Sequence, residues 1–143
     1  MKKVIIASLL VFTTLANAQN AEIQKTIETF FDGMHQRDTL KIKSVCTDKM
    51  ILQSIAENIK GNKLSNENIG EFYKSIATIP LNVTIEERIL NYSIQIDGAM
   101  AHAWTPYEFY VNGKLSHSGV NAFTLFKENT TWKIIYIIDT RRK

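Results

Sequence analysis

The side chains that could do chemistry are concentrated in the last third of this sequence, where polar and aromatic residues alternate with small ones. His102 and Trp104 occupy alternate positions of one β-rich segment, and Asn121 and Phe123 occupy alternate positions of the next. Because imidazole exchanges protons near neutral pH, His102 is the candidate for a general base. The same imidazole could instead line a cavity and hydrogen-bond to a neighbour, and we favour that interpretation.

Metal binding and covalent catalysis are not indicated. His102 and His117 fall on one face of the predicted sheet but about 20 Å apart, whereas zinc ligands must lie within about 2 Å of the ion. The sequence contains no phosphate-binding glycine loop and no G-x-S-x-G nucleophile motif. We therefore expect no metal and no cofactor. Cys46 follows Ile42 and Val45 at helical spacing, which predicts a buried structural thiol.

Two pairs of charged residues have spacings that predict local contacts. Asp32 and His35 are three residues apart in the first predicted helix, and we expect them at the edge of the core. Asp139 and Arg141 share one face of the last predicted strand. The second pair is therefore expected to form a structural ion pair.

The first eighteen residues have the three parts of a secretory signal. Two lysines precede an apolar run at 4–15, and Ala16-Asn17-Ala18 forms an A-x-A cleavage pattern. The apolar run is too short to span a membrane comfortably. We therefore expect cleavage after Ala18, no membrane association afterwards, and one domain at 19–143 in the periplasm or outside the cell.

The charge balance argues against a nucleic-acid partner. The chain carries 17 basic and 14 acidic side chains, a net charge of +3. Two of the basic residues, Lys2 and Lys3, lie in the predicted signal, which leaves 15 against 14 and a domain charge of +1. Such a domain lacks the basic excess that is typical of nucleic-acid binding.

Helix patterns come mainly before strand patterns along the chain, which predicts an α+β fold. The strands are separated by turn signals, including Asp97-Gly98 and Asn112-Gly113, and such turns are typical of an antiparallel meander. The predicted helices cover about 20–37, 39–45 and 66–79, and the predicted strands cover about 49–55, 83–96, 99–111, 114–127 and 132–140.

The Asn112-Gly113 turn sets a register for the two strands that it joins. If its loop has two residues, Trp104 opposes Asn121 and His102 opposes Phe123. The four side chains then share one face of the sheet, and the opposite face carries smaller apolar residues. Because both faces are apolar, we expect both to be covered, one by helices and the other by a second subunit.

The next turn extends this face. If Lys127 opposes Trp132, Tyr136 lies beside Phe123 and Ile138 lies beside Asn121. A bulge at Pro106, which lacks an N–H donor, would change the faces of residues 107–110. The predicted ligand-binding residues are therefore His102, Trp104, Asn121, Phe123, Tyr136 and Ile138.

Four segments carry a family resemblance: 104–113, 116–123, 132–134 and 139–142. The pattern of residue types in these segments resembles that of the nuclear transport factor 2-like superfamily, and within it the bacterial branch named for lumazine binding. The resemblance implies a SnoaL-like cone, in which three N-terminal helices pack on the concave side of a curved antiparallel sheet. It also implies a pocket at the open end and a homodimer through the convex face. Members include isomerases, dehydratases, polyketide cyclases and binders without catalysis.

We therefore predict an exported protein that binds a small, flat aromatic or heterocyclic molecule in an aromatic-lined pocket. A pteridine or lumazine would fit such a pocket. One alternative is a cofactor-free isomerase, cyclase or hydrolase that uses His102 as its base. The other alternative is a dimeric interaction module whose pocket is filled by its own side chains.

Overall fold

Helices and strands alternate along the first half of the chain, and strands alone make up the second half. The computed structural model describes residues 2–143, with side chains from residue 17 onward, so most of the predicted signal lies outside the described side chains. The helices are α1 (Lys2–Gln36), α2 (Thr39–Ser44) and α3 (Ile69–Ala77), and the strands are β1 (Cys46–Ala56), β2 (Lys63–Glu67), β3 (Ile85–Ile89), β4 (Ser93–Asp97), β5 (Met100–Val111), β6 (Lys114–Glu128) and β7 (Thr131–Arg141). Within the described residues, no helix is long and apolar enough to cross a membrane.

The first helix buries the predicted apolar stripe. Its members recur every three or four residues and face the sheet: Ile23, Ile27, Phe30, Phe31 and Met34. The helix ends where Arg37 takes a left-handed backbone conformation (φ 58°), and the Asp38 N–H donates to the Gly33 carbonyl at 2.8 Å. The Asp38 carboxylate then caps α2 by accepting from the Lys41 N–H at 3.0 Å.

The third helix differs from its predicted position. Asn68 caps α3 by accepting from the Glu71 N–H at 3.1 Å, so the helix begins at Ile69 rather than near residue 66. Residues 63–67 are extended instead, because they pair with β1 as strand β2. Only α1 and α2 therefore precede the strands, and α3 is inserted between β2 and β3.

The seven strands form one curved sheet in the order β2-β1-β7-β6-β5-β3, with β4 also paired to β5. The expectation of a wholly antiparallel sheet was wrong, because β1 pairs with β7 in parallel. The single strand predicted at 83–96 is two strands, and both pair with β5, at 107–111 and at 100–104. They are edge partners of β5, interrupted near Pro106, whose carbonyl accepts from the Leu90 N–H.

The hairpin turns at 112–113 and 129–130 have the predicted pairing, but two bulges change the register of the strands beyond these turns. Val111 pairs with Lys114, and both turn residues, Asn112 and Gly113, have positive φ, which fits a type I′ turn. Tyr110 then pairs with Leu115, but Phe109 pairs with His117, so Ser116 is an extra residue in β6. The bulge lies here and not at Pro106, where the pairing of β5 with β6 continues.

The bulge moves β5 by one position relative to β6. Trp104 pairs with Ala122, and His102 pairs with Thr124, so neither faces Asn121 or Phe123. Successive side chains point to opposite faces of a sheet, so a shift of one residue places His102 and Trp104 on the face opposite to Asn121 and Phe123.

A second bulge has the same effect between β6 and β7. Lys127 pairs with Trp132 as predicted, and Leu125 with Ile134. Beyond the extra residue Ile135, however, the partners of Phe123 and Asn121 are Ile137 and Asp139 rather than Tyr136 and Ile138. Ile137 and Asp139 therefore lie on the concave face, and Tyr136 and Ile138 lie on the convex face.

Candidate functional site

A cavity of about 470 Å³ lies between the concave face of the sheet and helices α1 and α3. Its volume is within the range of sites for small organic ligands. Its aromatic lining comes from both helices and from β5 and β6: Phe30, Phe31, Phe72, Tyr107, Phe109 and Phe123. Its ionisable and amide lining consists of Glu67, Glu71, Glu87, His117, Asn121, Asp139 and Arg141.

Two of the six predicted ligand-binding residues line this cavity. Asn121 and Phe123 are buried and face its interior. The other four, His102, Trp104, Tyr136 and Ile138, lie on the convex face because of the two register shifts, and Trp104 is 50% exposed. The placement of these four in the pocket was therefore wrong, and His102 cannot serve as a base for a ligand in this cavity.

The interior polar group that the sequence did not reveal is Glu87. It lies on β3 between Ile85 and Ile89, and all three have the same parity, so the carboxylate shares the inner face with the two isoleucines. The Asn121 amide Nδ2 donates to the Glu87 Oε1 at 2.7 Å. The alternation with Ile85 and Ile89 was the available signal, but three consecutive charged residues at 86–88 suggest a solvated segment.

The ionisation of Glu87 is strongly perturbed by its surroundings. Burial raises the pKa of its carboxyl from 4.5 to about 7, and nearby Asp139 acts in the same direction. The hydrogen bond from Asn121 and the charge of Arg141 oppose this change without cancelling it. Glu87 therefore exchanges its proton near neutral pH, inside an aromatic cavity.

A second polar network occupies the neighbouring part of the wall. The Arg141 Nε donates to the Asp139 Oδ2 at 2.7 Å, which confirms the predicted ion pair. The buried Tyr107 hydroxyl also lies 3.1 Å from that oxygen and 2.9 Å from the Thr140 carbonyl oxygen. Asp139 is thus held by a guanidinium and a phenol.

His117 also lines the cavity, and it lies on the opposite face of the sheet from His102, with which it was predicted to share a face. It pairs with Phe109, and the two rings stack with centroids 4.9 Å apart. Burial lowers the pKa of His117, and the charge of Arg141 lowers it further. Outside the cavity, His117 and Arg141 also border a surface recess that carries Lys60 and Lys143.

The backbone at Glu87 is held from helix α1. The Glu87 N–H donates to the His35 Nε2 at 2.8 Å, so the neutral imidazole carries its hydrogen on Nδ1. Burial lowers the pKa of His35, although Asp32 and Glu86 oppose this effect. His35 is therefore a positioning residue for the strand that carries Glu87.

We expect His35→Leu to destabilise the protein by about 1–2 kcal/mol, because it leaves the Glu87 N–H without an acceptor. His35→Gln should lose less stability, because its amide oxygen can accept the same hydrogen bond. Since the pKa of His35 is lowered on folding, its contribution is present above about pH 6.5 and is lost on acidification. Urea unfolding on both sides of that pH tests this. A wild type and a His35→Gln variant with parallel pH dependence would contradict it.

Cys46 lies apart from the cavity. It is buried, as predicted, and burial raises the pKa of its thiol to about 12, which disfavours the reactive thiolate. In the described part of the chain, no three His, Cys, Asp or Glu side chains converge as metal ligands.

Similarity to known proteins is detectable in structure and not in sequence. No protein-family model matches this sequence, and no curated protein matches it. Among solved structures, the beta subunit of a candidate aromatic-ring-hydroxylating dioxygenase from Novosphingobium aromaticivorans is similar with a TM-score of 0.73 at 10% identity. The match covers 90% of this chain and 92% of that subunit.

Two further structures have the same architecture. A candidate dehydratase of the NTF2-like family from Streptomyces avermitilis is similar with a TM-score of 0.68 at 14% identity, over 90% of this chain and 99% of its own. An NTF2-like protein of unknown function from Shewanella baltica has a TM-score of 0.63 at 13% identity, over 88% and 95%. These similarities, together with the curved sheet and the interior cavity, establish that the chain has the nuclear transport factor 2-like fold.

Proposed function

We propose that the protein binds a small, partly polar organic molecule in its interior cavity. The observation that carries the proposal is the combination of six aromatic side chains with the hydrogen-bonded Glu87–Asn121 pair in a space of about 470 Å³. Apolar walls supply binding free energy, and a few fixed polar groups orient the ligand. A cavity of this size argues against the alternative in which the protein's own side chains fill the pocket.

The test is a binding screen with flat heteroaromatic compounds, including lumazine and a flavin analogue. Ser75 lies on α3 at the cavity wall and is exposed, so Ser75→Phe should fill part of the cavity without disturbing the core. We expect saturable binding by calorimetry that falls about tenfold in Ser75→Phe. His102→Ala, on the convex face, is the matched control and should bind as the wild type does. Binding that is lost in His102→Ala and kept in Ser75→Phe would overturn the proposal.

A second candidate function is cofactor-free acid–base catalysis, with Glu87 in the role first considered for His102. The observation that favours it is a carboxyl with a pKa of about 7 inside an aromatic cavity. Such a group can remove a proton from a carbon next to a carbonyl and return it elsewhere. The structural similarity to a candidate dehydratase is consistent with this chemistry.

Catalysis can be tested with small β-hydroxy carbonyl compounds and β,γ-unsaturated ketones. Dehydration or isomerisation of these compounds gives conjugated products, which are followed by their ultraviolet absorption. We expect a rate that rises as Glu87 ionises near pH 7 and that falls by about a hundredfold or more in Glu87→Gln. Ligands that bind without any turnover would leave binding alone as the function.

The convex face is the proposed site of homodimer formation. It exposes large apolar side chains, among them Met100, Trp104 and Phe126. Apolar patches of this kind are common where subunits pair. Analytical ultracentrifugation should detect a dimer that Trp104→Lys converts to a monomer, and a monomeric wild type would overturn this assignment.

Export is proposed on the basis of the N-terminal sequence alone. A charged start, an apolar run and Ala16-Asn17-Ala18 are the parts that a secretory signal requires. N-terminal sequencing of protein recovered from the periplasm or the medium should begin at Gln19. Protein that retains residues 1–18 in the cytoplasm would contradict it.

A further inference from the structure

The cavity wall has the opposite charge from the chain as a whole. The chain carries a net charge of +3, yet among the described side chains four carboxylates line the cavity against one guanidinium, that of Arg141. The carboxylates come from four different elements: Glu67, Glu71, Glu87 and Asp139. Of the described residues, no lysine lines the cavity.

The one guanidinium does not neutralise this wall. Arg141 Nε is 2.7 Å from Asp139 Oδ2, and its charge also interacts with Glu67. Glu87 receives its only side-chain hydrogen bond, among the described residues, from the neutral amide of Asn121. Glu71 is exposed at the rim. Above about pH 7, where the Glu87 carboxyl is ionised, the cavity therefore presents uncompensated negative charge to a ligand, chiefly from Glu87 in the interior and Glu71 at the rim.

The aromatic rings around these carboxylates also favour a cation. Phe30 and Phe72 stack with centroids 6.1 Å apart, and the rings of Phe31 and Phe123 meet edge to face at 5.9 Å. The face of an aromatic ring carries negative potential and attracts an ammonium group, more strongly where water is excluded. Rings and carboxylates together form the kind of site that recognises an organic cation.

An anionic ligand fits this wall poorly. A carboxylate in the interior would lie close to Glu87 and to the Asp139 oxygens, and like charges in a desolvated space repel strongly. Lys60 and Lys143 line the outer recess and not the cavity, so they cannot compensate it from within.

We propose that the ligand of this cavity is an organic cation, a protonated primary or secondary amine on an apolar group that packs among the aromatic rings. The ammonium group lies against the Glu87 carboxylate, and the rim residues Glu67 and Glu71 attract it during entry. This assignment rests on the proposed binding function and adds the chemical class of the ligand to it.

The charge of the ligand is coupled to the proton on Glu87. The other groups that face this carboxyl are Asp139 and Arg141 on β7, Tyr107 on β5, His117 on β6 and, through the backbone, His35 on α1. Below about pH 7 the carboxyl of the empty protein is mainly protonated, so a cation must displace that proton. Amine binding should therefore release a proton and become tighter as the pH rises towards 8.

The test uses three ligands that share a phenylethyl group and differ in charge. Phenethylamine is a cation, 2-phenylethanol is neutral, and 3-phenylpropionate is an anion at neutral pH. Calorimetry of the full chain near pH 8 should show the amine binding about tenfold more tightly than the alcohol, with the anion weakest. The advantage of the amine over the alcohol should shrink near pH 5, where Glu87 is protonated in the empty protein.

Variants that keep the shape of the side chain identify the responsible carboxylates. Glu87→Gln should weaken amine binding about tenfold and change alcohol binding much less, since glutamine keeps a polar side chain of the same shape. Glu71→Gln, at an exposed position in the first turn of α3, should weaken amine binding about twofold. Glu128→Gln, at the exposed end of β6 and outside the cavity lining, is the control and should change nothing.

Each result supports or overturns the cation assignment. If the alcohol or the anion binds best, or if Glu87→Gln and Glu71→Gln both bind the amine like the wild type, the assignment is wrong. The proposed binding function would still stand in that case if Ser75→Phe weakens binding, because that variant tests the cavity and not the charge of its ligand. If none of the three ligands binds while a heteroaromatic compound does, the cation assignment also fails. Loss of binding for every compound would instead overturn the proposed function.

Discussion

Glu87→Gln is expected to increase the free energy of unfolding above neutral pH, although it removes the side chain proposed to bind the ligand. The pKa of the Glu87 carboxyl rises from 4.5 to about 7 on folding, so between these values the folded protein binds more protons than the unfolded chain. Stability therefore falls as the pH rises through this interval, by at most about 3 kcal/mol. Glutamine keeps the acceptor for Asn121 and has no charge to desolvate.

Urea unfolding at about pH 5 and about pH 8 measures this effect as the difference between variant and wild type. We expect the difference to favour Glu87→Gln increasingly towards pH 8. Glu86, the exposed neighbour on the other face, is the matched control. Its hydrogen bond to Arg88 lowers the pKa of its carboxyl, and a lowered carboxyl pKa changes stability only below about pH 4.5, so Glu86→Gln should show almost no trend between about pH 5 and about pH 8. Curves for Glu87→Gln and wild type that stay parallel would contradict the assignment of this carboxyl.

A methyl group at Gly119 is expected to destabilise the protein by about 3 kcal/mol and to lower its melting temperature by about 10 °C. A Cβ atom at this position would lie 1.8 Å from the Thr140 carbonyl oxygen, which is backbone and cannot rotate away. The same oxygen accepts the hydrogen bond from Tyr107. Gly119→Ala must therefore push β6 away from β7 beside the Tyr107–Asp139 network.

Circular dichroism during thermal unfolding tests this, with Ser118→Ala as the control at the adjacent position of the same strand. Ser118 pairs through its backbone with Arg142, so removal of its hydroxyl should change stability by less than about 0.5 kcal/mol. We also expect Gly119→Ala to lose ligand binding, since Asn121 and Asp139 follow the displaced strands. A Gly119→Ala protein that melts at the wild-type temperature would show that the two backbones are not in this close contact.

Glu87 illustrates a conflict between stability and the proposed function. It keeps a poorly solvated carboxyl in the cavity, and above neutral pH a glutamine there would be more stable. A residue that lowers stability without need is unexpected in a core, and Glu87 lies at the cavity wall. Gly119 differs, because the close backbone approach that presents the Thr140 carbonyl to Tyr107 requires it, so there stability and the site favour the same residue.

Local patterns predicted the elements of this fold well. The apolar spacing in α1 identified the stripe that is buried, because a helix repeats every 3.6 residues whatever its partner. The Asn112-Gly113 turn predicted the hairpin, since few residues tolerate positive φ at two successive positions. The Asp139–Arg141 pair was also predictable, because alternate residues of a strand share a face.

Pairing between distant strands was not predictable in the same way. The parallel pairing of β1 with β7 depends on where the last strand lies after the antiparallel strands β3–β6, and no local signal records it. The short strand β2 is mainly polar and gives no clear strand signal, and it forms because its backbone pairs with the free edge of β1. Such strands are selected by their partners rather than by their own propensities.

The composition, the helix stripe, the turns and the strand parity are properties of neighbouring residues, so the amino-acid order was sufficient to specify them. The set of residues that line the cavity could not be specified in this way, because two bulges, at Ser116 and Ile135, change which side chains face it. A bulge is stabilised by how whole strands twist and pack, and one extra residue exchanges the faces of everything beyond it. For this reason Asn121 and Phe123 line the cavity while His102 and Trp104 face outward, and Glu87 became visible only when β3 was placed beside β5.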